Sequence, residues 1–90
     1  MAHVLFRHTV ESYAKWRPVF NEQAGLREEA GAIGEPMVFR SGDNPFEVLV
    51  LMEWEELEMA RKWAVSDTLK AAMEESGVND EPTVTFLTQV

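Results

Sequence analysis

Ninety residues make one small domain, and 46% of them are apolar, with three Trp and five Phe, which suits a packed core and excludes a disordered chain. The formal charge is −8 and the eight Lys and Arg are scattered, so neither nucleic acid nor an anionic membrane surface is an expected partner. Cysteine is absent, which excludes disulfides, iron–sulfur clusters and thiol catalysis.

A chain this short buries only a little over ~60% of the surface its unfolded form exposes, so self-association is the expected support. No apolar run approaches the ~20 residues of a membrane span. Met1-Ala2-His3-Val4 has no charged start followed by a long apolar stretch. The expectation is a single domain over residues 1–90 in the cytoplasm. The acidity reads as solubility or, more sharply, as adaptation to high salt.

His3 to Thr9 reads as a buried strand, with Val4, Phe6 and His8 on one face and His3, Leu5 and Arg7 on the other. Thr9 or Ser12 can cap a helix whose inner stripe is Tyr13, Trp16, Phe20 and Ala24, while Glu22, Arg27, Glu28 and Glu29 mostly take the other side. Pro18 predicts a kink between an opening turn and the main helix, and Gly31 a left-handed stop. Glu35 to Arg40 reads as a short edge strand carrying Pro36. Ser41-Gly42-Asp43-Asn44-Pro45 is turn chemistry leading into the strand Phe46 to Trp54 as an antiparallel hairpin.

Glu55, Glu56 and Glu58 favour a helix start, and Leu57, Ala60, Trp63 and Ala64 form its inner stripe. Ser66-Asp67 looks like a second cap, Gly77 a stop, and Thr83 to Val90 a last strand. The order is βαββαβ. It predicts an α+β ferredoxin-like sandwich, a four-stranded antiparallel sheet with helices on one face. The other face carries apolar side chains, and a second copy of the chain would cover it.

The run Arg7-His8-Thr9-Val10-Glu11-Ser12-Tyr13-Ala14-Lys15-Trp16, together with Glu53-Trp54, Ala60-Arg61-Lys62-Trp63-Ala64 and Thr85-Phe86-Leu87, resembles the dimeric α/β-barrel superfamily. The resemblance lies near its antibiotic-biosynthesis-monooxygenase-like and small cyclase-like members. It implies a homodimer with sheets face to face, and a small-molecule pocket between each sheet and its helices. It implies a cofactor-independent monooxygenase or a cyclase/isomerase acting on an aromatic or enolisable metabolite, with no cofactor. One fold hosts many chemistries. A non-catalytic binding or structural homodimer is therefore the alternative, and haem binding through His8 or His3 a third reading.

Within that frame His8 is the candidate base, since an imidazole titrates near neutral pH. Deprotonating a phenol or enol would leave an electron-rich anion able to reduce oxygen. The plainer reading is a histidine bonded to backbone or to Tyr13. Trp16 and Trp63 could stack on a flat ligand or simply be core. Tyr13 could donate to a ligand carbonyl. Arg7 could hold a carboxylate or phenolate, or, like Arg40 and Glu53, join an ion pair across the sheet or the dimer interface. His3 and His8 point to opposite faces and cannot share a metal within one chain. No phosphate loop, G-x-S-x-G elbow or H-E-x-x-H is present.

Overall fold

Alternation along each strand decides which side chains meet the helices. In the computed structural model, which describes residues 1–90, the strands are β1 (Ala2–Thr9), β2 (Ala32–Arg40), β3 (Glu47–Trp54) and β4 (Thr83–Thr88). The helices are α1 (Tyr13–Glu22), α2 (Ala24–Ala30), α3 (Leu57–Ala64) and α4 (Asp67–Ser76). The sheet order is β2-β3-β1-β4, with every neighbouring pair antiparallel. This is the ferredoxin-like α+β fold expected from the sequence.

Val4 lies opposite Met52 and Phe86, and Phe6 opposite Val50 and Val84, so these side chains share one face. That face is buried: Val4, Phe6, Val48, Val50, Met52 and Trp54 join Val10, Trp16 and Ala60 in one core cluster. On the other face Leu5 lies opposite Leu51 and Thr85, and Met37 opposite Leu51. There Met37, Phe39 and Leu87 are 54%, 48% and 38% exposed. The sheet is therefore apolar on both sides, while helices cover one.

Local chemistry sets the element ends. Ser12 caps α1 by accepting from the Lys15 amide at 3.1 Å, and Ser66 caps α4 by accepting from the Leu69 amide at 3.2 Å. Gly77 ends α4 in the left-handed region at φ 81°, where a Cβ would also meet the Glu11 carboxylate.

Beyond shifts of one or two residues at strand ends, two boundaries differ from the sequence expectation. Pro18 does not divide its helix; α1 runs through it to Glu22, and the break falls at Gln23. The carbonyl that Pro18 leaves without a donor belongs to Ala14, which is exposed and open to water. Strand β2 begins at Ala32 rather than Glu35, because Gly34 at φ 69° is absorbed as an irregularity in register between Ile33 and Met37. Pro36 follows within this irregularity on an edge strand, where a missing donor is best tolerated.

Candidate functional site

A cleft between the sheet and the helices is floored by Phe6 and His8 of β1 and Val50 and Met52 of β3. One wall comes from α1 and α2 through Trp16, Phe20, Gln23, Leu26 and Arg27; the other comes from Trp63 of α3 and Leu69, Ala72, Met73 and Ser76 of α4. Its free volume is about 50 Å³. That is well below the ~150 Å³ of an engineered apolar cavity that admits benzene, so a ring-sized ligand enters only as the lining side chains move apart.

The period of α1 puts Trp16 and Phe20 one turn apart on its inner side, where their rings stack at 4.8 Å with an interplanar angle of 20°. Trp16 also lies 5.7 Å from the His8 ring. Phe6 touches His8 on one side at 6.4 Å and Trp63 on the other at 5.2 Å, both edge-on. His8, Trp16 and Trp63 are thus brought together.

His8 is 5% exposed, and neither ring nitrogen has a hydrogen-bond partner. A buried polar group left in this state costs about 1–3 kcal/mol. Burial lowers the His8 pKa, and the negative charge of Asp80 opposes this without cancelling it. The ring is consequently a neutral imidazole at pH 7, free to accept a proton. Asp80 is held beside it by the Thr9 amide, which donates to Asp80 Oδ1 at 2.8 Å.

The lowered pKa has a consequence for stability. Below about pH 6.5 the unfolded chain binds a proton at His8 that the folded chain refuses, so stability falls as pH drops from there towards the folded pKa. Asp80 enters only in stronger acid. Burial alone would raise its pKa, but the Thr9 hydrogen bonds and His8 outweigh this and bring it below 3.8. Its stabilisation is lost only as pH falls through that lowered value. A melting-temperature series from pH 7.5 down to pH 5 should decline in the wild type and decline less in His8→Phe; parallel curves would contradict the assignment.

Arg7 and Tyr13 lie outside the cleft. Arg7 sits on the far face of the sheet, one residue before His8, and its Nη2 pairs with Glu47 Oε2 at 3.2 Å. That pair is exposed and contributes little to stability. The Tyr13 hydroxyl accepts from Arg17 Nη1 at 3.0 Å, and the Arg40 guanidinium lies 5.0 Å over the Tyr13 ring. Glu53 lies opposite His3 on the far face and joins no ion pair.

Arg27, which the sequence reading put on the solvent side, is 5% exposed and lines the cleft. Its guanidinium lies 3.9 Å over the Phe20 ring, and its Nη1 donates to the Phe20 carbonyl at 2.7 Å. The signal was available: Trp16, Phe20, Gln23 and Arg27 follow one another at steps of four, three and four. A charged residue at the fourth position of that stripe hid it. Ala24, expected on the inner side, is exposed.

A four-stranded antiparallel sheet with its helices on one face defines a ferredoxin-like α+β domain, a fold it shares with solved structures of antibiotic biosynthesis monooxygenases. The chain is similar to a crystal structure of an antibiotic biosynthesis monooxygenase, with 13% identity over 100% of this chain and 99% of that one and a TM-score of 0.72. It is similar to SnoaB, a cofactor-independent oxygenase from Streptomyces nogalater, solved in a mutant form (14% identity, 98% and 91% coverage, TM-score 0.72). It also resembles the ActVA-Orf6 monooxygenase of Streptomyces coelicolor, solved with nanaomycin D (17% identity, 99% and 87% coverage, TM-score 0.65). At these identities the likeness is one of fold. No protein-family model and no curated protein sequence matches the chain.

Proposed function

We propose that this protein is a cofactor-independent monooxygenase acting on a small phenolic or enolisable metabolite. The observation that carries this is His8: a buried imidazole, neutral at pH 7, unpartnered at both nitrogens and set beside Trp16 in an apolar cleft. The fold shared with SnoaB and ActVA-Orf6 supports it.

His8 takes a proton from the activated carbon or hydroxyl of the substrate. The resulting anion passes one electron to O₂, and the two radicals combine as a carbon-bound peroxide. Loss of water leaves a carbonyl. A CH₂ group thus becomes C=O, one oxygen atom enters the product, the other leaves as water, and the substrate supplies all four electrons. Asp80 and the substrate anion favour the imidazolium that forms. Trp16 and Trp63 wall the ring in apolar surface, which strengthens these charge interactions.

Oxygen uptake tests the reading. Hydroxynaphthalenes and 1,3-dicarbonyl compounds are supplied with chelator present, and the expected outcome is one O₂ consumed per product with water, not peroxide, as the other product. The cleft's free volume of about 50 Å³ favours a second reading, a non-catalytic homodimer whose pocket is filled by its own side chains. Absence of uptake with every compound would support that one.

Both readings include a homodimer that covers the far face of the sheet, where Leu5, Leu49, Leu51, Met37 and Phe39 lie side by side. Leu51→Asp places a carboxylate in the middle of that face. Light scattering is expected to give twice 10.3 kDa for the wild type and a single chain mass for the variant. A wild-type monomer would overturn the dimer.

A further inference from the structure

A buried guanidinium is costly unless something of opposite charge meets it. The ion pairs in this chain join Arg7 to Glu47, Lys15 to Glu11 and Arg61 to Glu58; Arg27 is in none of them, and Glu28 and Glu35 act on it only from beyond ion-pair distance. Of the five N–H groups that a guanidinium carries, one is used, on the Phe20 carbonyl. Stacking on Phe20 satisfies the face of the fork and leaves its edge open.

Two cavities meet at this side chain. The outer one, about 210 Å³, is also lined by Arg17 and by Glu28, Glu35 and Glu53, whose three carboxylates outnumber the two cations and disfavour an anion. The inner one is the cleft at His8, where Arg27 is the one permanently charged side chain and no carboxylate is present. From Arg27 through Phe20 and Trp16 to His8 the groups are in unbroken contact. The cleft thus has a cation at one end, flat apolar surface along its length and a neutral base at the other end.

We infer that Arg27 holds the carboxylate of a compact monoanionic ligand, placing an acidic carbon of that ligand towards His8. The inference rests on the cleft being a ligand site, as in the proposed function. It adds that the ligand carries an anchoring acid separate from the reacting centre. A planar fork matches the two oxygens of a carboxylate, and in a cleft without competing anions the pair is desolvated. The free volume of about 50 Å³ does not hold a ring as it stands, and Leu26, 46% exposed at the rim, is the lining side chain with most room to move aside.

The test compares acids with neutral amides of the same shape: benzoate against benzamide, and propionate against propionamide, by calorimetry or protein NMR titration. The wild type is expected to bind each acid at least tenfold more tightly than its amide. Arg27→Met should bring the ratio to about one, with most of the loss falling on the acids, and Arg27→Lys should restore part of it. Equal affinity in the wild type, a preference that survives Arg27→Met, or no binding of any of the four compounds overturns the inference. If Arg27→Met does not fold, the ratios in wild type and Arg27→Lys decide alone. No turnover is read, so failure of the oxygenase reading leaves an acid preference standing. Normal oxygen uptake without an acid preference removes only the role of Arg27.

Discussion

Replacing His8 by Phe or by Gln should lower oxygen-dependent turnover by about 10²–10⁴-fold, the usual worth of a positioned general base. The two substitutions separate chemistry from structure. His8 is buried with both nitrogens unsatisfied, so the folded state gains nothing from its polarity. Phe removes that penalty, and the adjoining free volume of about 50 Å³ gives the larger ring room. His8→Phe should therefore melt at or above the wild-type temperature, by on the order of 1 kcal/mol, while turnover collapses. A residue whose loss costs activity and adds stability is kept for its reaction. Turnover unchanged in both variants would remove His8 from the mechanism.

The second large effect falls at the opposite end of the core. Trp54 is 1% exposed, packs 5.2 Å from Trp63 and lies opposite Ala2 and Ala32 on its two neighbouring strands. Small residues on both sides make the space that the indole fills. Trp54→Ala should cost about 3–5 kcal/mol in denaturant unfolding. For a domain of ninety residues this is a large part of the ~5–13 kcal/mol implied by ~0.05–0.15 kcal/mol per residue. Trp54→Phe should cost much less than Ala. It keeps most of the ring and removes the indole N–H, which is buried and has no hydrogen-bond partner. Equal losses in the two variants would mean that the filled volume is not what Trp54 contributes.

Most of the fold was legible because each element carried its own local cause. The alternation in His3 to Thr9 set which side chains of β1 face the helices, and Ser12, Ser66, Gly31 and Gly77 all stand at element ends. The same alternation bears on the site. Arg7 and His8 are consecutive on a strand, so a cleft that receives one cannot receive the other. His8, Trp16 and Trp63 were findable because apolar periodicity points inward. Arg27 escaped because a charge within a helical stripe looks like the edge of its solvated face; Phe20 beneath the guanidinium, the Phe20 carbonyl beside it and the charges of Glu28 and Glu35 offset part of the cost of its burial. The course of α1 through Pro18 was not legible either, since whether water reaches one carbonyl depends on how the helix packs.

The two margins of the sheet are not alike. The register of β2 slips between Ile33 and Met37, and Pro36 sits in that stretch; β4 is a six-residue strand with no such interruption. Molecules adding strand to strand need two receptive margins to grow indefinitely, and here one is broken. Two chains joined along β4 would form an eight-stranded sheet with β2 at both outer limits, and extension would end there. The irregularity at Gly34 and Pro36 thus makes β2 a poor template for a further strand, in a protein whose sheet is apolar on both sides.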